Sequence, residues 1–313
     1  MLTWTALTAE TTPQWADLTN LLAKVDDTDE YYDAEDLAEE LEEHGFDAAQ
    51  DSWAVWDGEV MVAFGQLRVS LQLTADGEAR ADLTGGVHPD WRGRGIGTAL
   101  LARMEPRALA VARERHPGAP LLMRASGGKE GSDARPLLTD AGYAPARWFT
   151  DMARPLPGPA VAAVPDPRIR PFGDDVSEAT RLAHNEAFAG HWGSTARTRE
   201  AWDEMVSARS FRAADSRVLV DDGVVLAYVL CGQWVERELY ISLVGTRPEA
   251  RGQGLGRAAL VTTVADAAAS GRYDVVDLSV DSDNPTGAGG LYASAGFRPV
   301  RTVATFTKRV ATT

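Results

Sequence analysis

Cysteine is almost absent from this chain: Cys231 is the one thiol among 313 residues, so no internal disulfide can form. It sits in the apolar run VVLAYVLCGQW, where a buried structural thiol is expected rather than a nucleophile. No stretch approaches the ~20 consecutive apolar residues of a membrane span, and the opening MLTWTALTAETTPQW has neither a basic leader nor an apolar signal core. A cytoplasmic location without a membrane partner is the expectation. Basic residues are scarce as well. The formal net charge is −15, and Val25 to Leu67 holds no Lys or Arg. A nucleic-acid partner needs basic stripes to neutralise phosphates, so this charge balance argues against one. The five histidines lack the spacing of metal ligands, and no metal is expected.

What is present is an ordinary soluble composition, 44% hydrophobic and 25% charged, in a chain long enough for two domains. The acidic stretch DDTDEYYDAEDLAEELEEHGFD reads as a solvated helix face that aids solubility. The alternative is a negative mouth that attracts a cationic amine, with Glu35 as a candidate substrate contact. A proline-rich joint, Arg154 to Phe172, separates two halves whose elements follow the same order. The expected division is 1–154, a linker at 155–167, and 168–313. Each half carries a hairpin, turning at Asp57-Gly58 and at Asp221-Asp222-Gly223, then a strand, a glycine motif and a helix. Pro106 should kink the first of these helices. LTDAGY and YASAGF align at an offset of 154, against 159 at the glycine motif, which points to duplication.

The two glycine motifs read HPDWRGRGIGTALL (His88–Leu101) and RPEARGQGLGRAAL (Arg247–Leu260). Each follows a strand and opens a helix. Residues without Cβ let the backbone approach an anion, and a helix N-terminus adds partial positive charge, so a pyrophosphate suits the place. The Gly-Lys-Ser/Thr of a P-loop is missing. The third glycine of a dinucleotide fingerprint would fall at Thr98 and Arg257, so that motif fails twice.

The shared pattern Pro-x-x-Arg-Gly-x-Gly-Ile/Leu-Gly resembles the pyrophosphate-gripping motif of the GNAT N-acetyltransferases, and NPTGAGGLYASAGF resembles that family's later motif. The resemblance covers essentially the whole chain as a tandem pair, similar to mycothiol synthase and related two-domain acetyltransferases. It implies an α/β fold of two tandem GNAT-like domains, each a mixed, mostly antiparallel sheet flanked by helices. It also implies acetyl-CoA as co-substrate and a small-molecule amine as acceptor, in a monomer or homodimer. Residues implied to hold the cofactor are Val244, Thr246, Arg251, Gly252, Gln253, Gly254, Leu255, Gly256, Arg257 and Asn284. In the first copy they are Val87, Arg92, Gly93, Arg94, Gly95, Ile96, Gly97 and Thr98. A backbone N–H at Val244 or its neighbour would polarise the thioester carbonyl.

The family's later tyrosine, which donates to the departing thiolate, corresponds to Tyr292. The aligned residue of the first copy is Leu138, which donates nothing, and Asn284 aligns with Glu130, a poor neighbour for a phosphorylated ligand. Chemistry is therefore expected in the second copy alone, with CoA binding still open to the first. Many relatives carry a catalytic glutamate where this chain has Tyr240. Strand alternation puts Glu238, Tyr240 and Ser242 on one face, which makes Glu238 the candidate base through a water. Glu186 competes with it and, with His191 and Trp192, is a candidate substrate contact, whereas His184 on the same helix reads first as a packing residue. Transfer of another acyl group, such as succinyl, and a non-catalytic CoA-binding regulatory module are the alternatives.

Overall fold

The computed structural model describes residues 1–28, 30–159, 161, 166–283 and 287–311. The chain forms two compact units that are not contiguous halves: Met1–Arg147 with Val303–Thr313, and Trp148–Thr302. Among the described residues no helix is long and apolar enough to cross a membrane.

In unit 1 the order is β1 (Thr3–Thr5), α1 (Thr12–Asp26), α2 (Ala34–Leu41), α3 (Ala48–Asp51), β2 (Ser52–Asp57), β3 (Val60–Val69), β4 (Ala79–Val87), α4 (Ile96–Arg115), β5 (Leu121–Gly128) and α5 (Ala134–Asp140). Then β6 (Ala144–Pro155) leads into unit 2. There the order is β7 (Ile169–Pro171), α6 (Asp174–Phe188), α7 (Arg199–Ser207), β8 (Arg217–Asp221), β9 (Val224–Gly232), β10 (Glu238–Thr246), α8 (Leu255–Ser270), β11 (Val275–Asp281) and α9 (Ala288–Ser294). Finally β12 (Arg298–Val310) carries the chain back into unit 1. α4 continues through Pro106 as one element of 20 residues.

Both sheets are mixed and mostly antiparallel. Unit 1 runs β1-β2-β3-β4-β5-β12, and unit 2 runs β6-β11-β10-β9-β8-β7. The parallel pairs are β4 with β5 and β10 with β11. Each half therefore supplies its terminal strand to the other unit. Phe149–Pro155 of β6 lies against β11, and Ala304–Val310 of β12 lies against β5. Both hairpin turns fall where the Asp and Gly residues permit positive φ; Asp222 and Gly223 have φ of 46° and 78° between paired Asp221 and Val224.

Helices cover both faces of each sheet because alternate strand residues are apolar on each side. In unit 1, Leu100, Met104 and Ala108 of α4 join Ala79, Ala81 and Leu83 in one core. Trp15, Leu18 and Leu37 of α1 and α2 meet Phe64 on the opposite side. In unit 2, Leu260 and Val264 of α8 pack with Ile241 and Leu278, whereas Val176 and Trp202 of α6 and α7 pack with Tyr228 and Leu230.

The parallel pairs open before they end. β10 is in register with β11 only from Glu238 opposite Val275 to Tyr240 opposite Asp277, although both strands continue. β4 and β5 separate likewise after Leu83 opposite Ala125. Each opening points toward the glycine loop of its own unit.

Candidate active site

The glycine loop of unit 2 forms because the chain must turn sharply from β10 into α8. Gly252 and Gly254 have φ of +75° and +76°, in the left-handed region that favours residues without Cβ. Their counterparts Gly93 and Gly95 have +71° and +78°. A Cβ built at any of these four would meet nothing within 4 Å, so open space lies beside the backbone. Gly254 and Gly95 are also the helix N-caps and offer no side chain to the first N–H groups of α8 and α4. Those donors are left for an anion, which fits a pyrophosphate.

The neighbouring side chains mostly hold the loops. Arg251 donates from Nη2 to the carbonyl of Ala187 (2.8 Å) and from Nε to that of Thr246 (3.4 Å). Arg92 donates from Nε to Val87 (3.1 Å) and grips both carboxylate oxygens of Asp26 (2.9 and 2.6 Å). Gln253 and Arg94 donate to the carbonyls of Glu249 and Asp90. Any phosphate contact here falls mainly to backbone N–H groups. Leu255 and Ile96 are buried beneath the first turns, Gly256 lies close to the Thr246 hydroxyl, and Gly97 lies against Leu137. Arg257 reaches Ser294 at 3.3 Å, while Thr98 is exposed. Asn284 lies outside the described residues.

In unit 1 a cavity of 680 Å³ opens beside the loop, lined by Gly93 and Gly95, by the separated strand ends at Thr84 and Ser126, and by Leu138. Asp26 and Glu30 also line it. Glu35 does not; it is exposed in the first turn of α2. Glu130 is exposed beyond β5.

Tyr292 occupies the matching place in unit 2. It is 8% exposed on α9, with its ring set edge-on to Phe297 at 6.2 Å. Its hydroxyl makes no hydrogen bond among the described residues, and burial pushes its pKa up to about 12. A phenol so placed holds its proton and has it free to donate.

β10 departs from simple alternation. Its register with β9 shifts between Ile241 and Leu243, so Ser242 is an extra residue. Ser242 still shares the side of Tyr240, since both lie near Gly232 and Trp234. Beyond the bulge the phase changes, and Val244 joins Ile241 on the α8 side. The β3–β4 register in unit 1 is unbroken. Glu238 is half-buried at the start of β10, and Tyr240 meets the exposed Trp234 edge-on at 5.8 Å.

Glu186 is engaged by Arg247, so its carboxylate is already an ion-pair partner. His184 is a core residue. Its Nδ1 lies 2.8 Å from the Tyr228 hydroxyl, its ring stacks on Phe188, and burial, aided by the Arg197 charge, pushes its pKa down to about 3. His191 and Trp192 are half-buried in the turn after α6, His191 beside Phe188. Cys231 is fully buried and burial pushes its thiol up, which removes it as a nucleophile. Among the described residues no three His, Cys, Asp or Glu side chains could together hold a metal.

Three features escaped sequence reasoning: the bulge, Trp234, and the Tyr228–His184 pair laid across Gly245. A Cβ on Gly245 would come within 2.3 Å of the Tyr228 ring and hydroxyl, and one on Gly86 within 2.2 Å of Leu22. The signal for the last was a glycine inside a strand in both copies, 159 residues apart.

The model of the acetyltransferase (GNAT) family matches residues 13–119 and 178–297. The mycothiol acetyltransferase of Kineococcus radiotolerans is 35% identical over 247 residues, 72% of this chain and 73% of that protein. That of Streptomyces bingchenggensis is 31% identical over 229 residues, 69% and 68% of the two chains. Among solved structures, a GCN5-related N-acetyltransferase from Sphaerobacter thermophilus superposes with a TM-score of 0.75 at 24% identity, covering 99% of this chain and 96% of that one. A tandem GNAT protein from the clavulanic acid biosynthesis pathway gives 0.71 at 20% identity, covering 99% and 98%. These likenesses agree with the repeated strand, glycine loop and helix: the chain belongs to the acetyltransferase (GNAT) family, in a tandem arrangement similar to that of the mycothiol acetyltransferases, and is an acyltransferase.

Proposed function

We propose that the chain transfers the acetyl group of acetyl-CoA to the primary amine of a small molecule, with the chemistry in unit 2. The observation that carries this reading is the free hydroxyl of buried Tyr292, set against Leu138 at the same place in unit 1. The glycine loop and the first turn of α8 would hold the pyrophosphate. The pantetheine arm would lie in the opening between β10 and β11.

The neutral amine attacks the thioester carbonyl carbon, a C–N bond forms, and the oxyanion is met by a backbone N–H at Val244. The C–S bond then breaks, and the CoA sulfur takes the Tyr292 proton. The proton lost by the amine passes to solvent through a water held by Glu238, and Tyr292 is reprotonated. The products are an amide and CoA thiol. Direct attack agrees with the burial of Cys231, which leaves no thiol to carry the acyl group. Unit 1 keeps its loop and cavity and would hold CoA without turning it over.

The relatives named mycothiol acetyltransferase make mycothiol lacking its acetyl group the first acceptor to try. Tyr240 stands where the family resemblance implies a glutamate, so the acceptor side is read as altered. The test is CoA-thiol release with that amine, glucosamine, cysteine amide and spermidine. Tyr292→Phe should lower kcat about 100-fold or more while acetyl-CoA still binds. Full turnover by this variant, with chemistry limiting, would remove Tyr292 from the mechanism. Binding of acetyl-CoA without turnover of any amine would favour a binding module instead.

A further inference from the structure

Arg154 is the next-to-last residue of β6, the strand that the N-terminal half contributes to unit 2. It is only 5% exposed. Among the described residues no carboxylate pairs with it, and its Nε has no partner. Its two other nitrogens meet backbone oxygens: Nη1 donates to Ala295 (2.5 Å) and Nη2 to Pro159 (2.7 Å). Ala295 directly follows α9 and lies three residues after Tyr292. Gly296 comes next with φ +90°, and a Cβ there would sit 1.9 Å from Nη1. The guanidinium fills space that any other residue at 296 would need.

Burying a cation without a counter-ion is costly, and an apolar chain of similar length would fill the volume without that cost. The helix that it touches explains the arrangement. α9 is seven residues, AGGLYAS, with two glycines and a glycine N-cap, so it has little intrinsic tendency to hold its shape. A charged donor on the carbonyl at its C-terminal end supplies an anchor that the helix's own sequence lacks.

Unit 1 repeats the device with its strand exchanged in the opposite sense. Lys308 of β12 stands 154 residues after Arg154 and donates to the carbonyl of Ala141, 154 residues before Ala295, at 2.9 Å. There the ammonium is balanced by Glu105 of α4 at 2.8 Å. The α8 residue 159 positions after Glu105 is the buried apolar Val264. The cation is unbalanced only in the unit whose short helix carries the tyrosine.

We propose that Arg154 is a positioning residue for Tyr292: from a strand supplied by the other half, it fixes the last turn of α9 and thereby aims the phenol at the thioester sulfur. This rests on the reading of Tyr292 as the proton donor. The test uses the full chain with Arg154→Met and Arg154→Lys, each alone and combined with Tyr292→Phe. CoA release is followed with the fastest-turning amine of the panel above, and acetyl-CoA binding by calorimetry. Arg154→Met should lower kcat roughly 10- to 100-fold while KM for acetyl-CoA moves less than about twofold. Arg154→Lys should recover most of the loss, since an ammonium reaches the equivalent carbonyl in unit 1. In the Tyr292→Phe background neither substitution should lower kcat further.

Equal fractional losses in both backgrounds, or no loss from Arg154→Met in the native background, would overturn the proposal. Should Arg154→Met fail to fold, the smaller deficit of Arg154→Lys decides, because it must vanish when Tyr292 is Phe. Native turnover by Tyr292→Phe alone would overturn the donor reading itself, a separate result read from a separate variant.

Discussion

Tyr292 acts, on this reading, as an acid that must keep its proton until the C–S bond breaks. Burial raises its pKa from 10.0 to about 12, which disfavours the phenolate. By linkage the stability of the neutral form is fully present below the unfolded pKa and is lost as pH rises through about 12. Between pH 6 and 10, kcat should therefore rise as the amine loses its proton, then level off, with no alkaline fall. A descending limb near pH 9 that disappears in Tyr292→Phe would show the phenol ionising early. His184 is the opposite case. Its pKa falls from 6.5 to about 3, so its contribution to stability is present above the unfolded value and drains away as pH falls toward the folded one. Denaturant titrations at pH 6.5 and 5.5 should show about 1 kcal/mol less pH-dependent loss in His184→Gln than in the native chain. Equal slopes would mean that His184 titrates normally. The Tyr292–Leu138 contrast was legible in the sequence because two copies align to the residue. The roles of Glu186 and Arg154 were not, because only the folded chain brings Arg247 to one and Ala295 to the other.

At the scale of elements, the glycine loops were readable and the strands beside them only partly. Strand, loop and helix follow from local chemistry: positive φ at Gly252 and Gly254, then a good helix former ended by Gly271. The bulge in β10 depends on its pairing with β9, and no residue type between Glu238 and Thr246 announces it. Alternation therefore holds for Tyr240 and Ser242 and breaks at Val244, which the bulge turns to the α8 side. The loops also separate binding from chemistry. Gly95→Val and Gly254→Val each force a branched residue into left-handed φ, at about 1–2 kcal/mol, and fill the space beside the loop. Calorimetry should find two acetyl-CoA sites per native chain and one in each variant. Only Gly254→Val should abolish turnover. Loss of turnover in Gly95→Val, with the unit 2 site still occupied, would place chemistry in unit 1 as well.

At the scale of the whole molecule, duplication was visible as a repeated order of motifs, but the exchange of terminal strands was not. β6 and β12 are alike in pattern, and the same alternation suits a strand whether its partner comes from its own half or from the other. The expected boundary near Arg154 therefore leaves β6 with the first half, although Phe149–Pro155 completes the sheet of unit 2. This yields a test by dissection into 1–154 and 168–313. The first fragment carries β6 but lacks β12, so β5 is left as a bare edge; the second carries β12 but lacks β6, so β11 is bare. Open edges beside detached apolar strands favour aggregation. Each fragment expressed alone should be insoluble or unfold without cooperativity, and the second should also lack the Arg154 anchor on α9. Expressed together, the two fragments can trade strands, and they should recover a soluble complex with measurable CoA release. A soluble 168–313 fragment with native turnover would show that the exchanged strand and its arginine are dispensable.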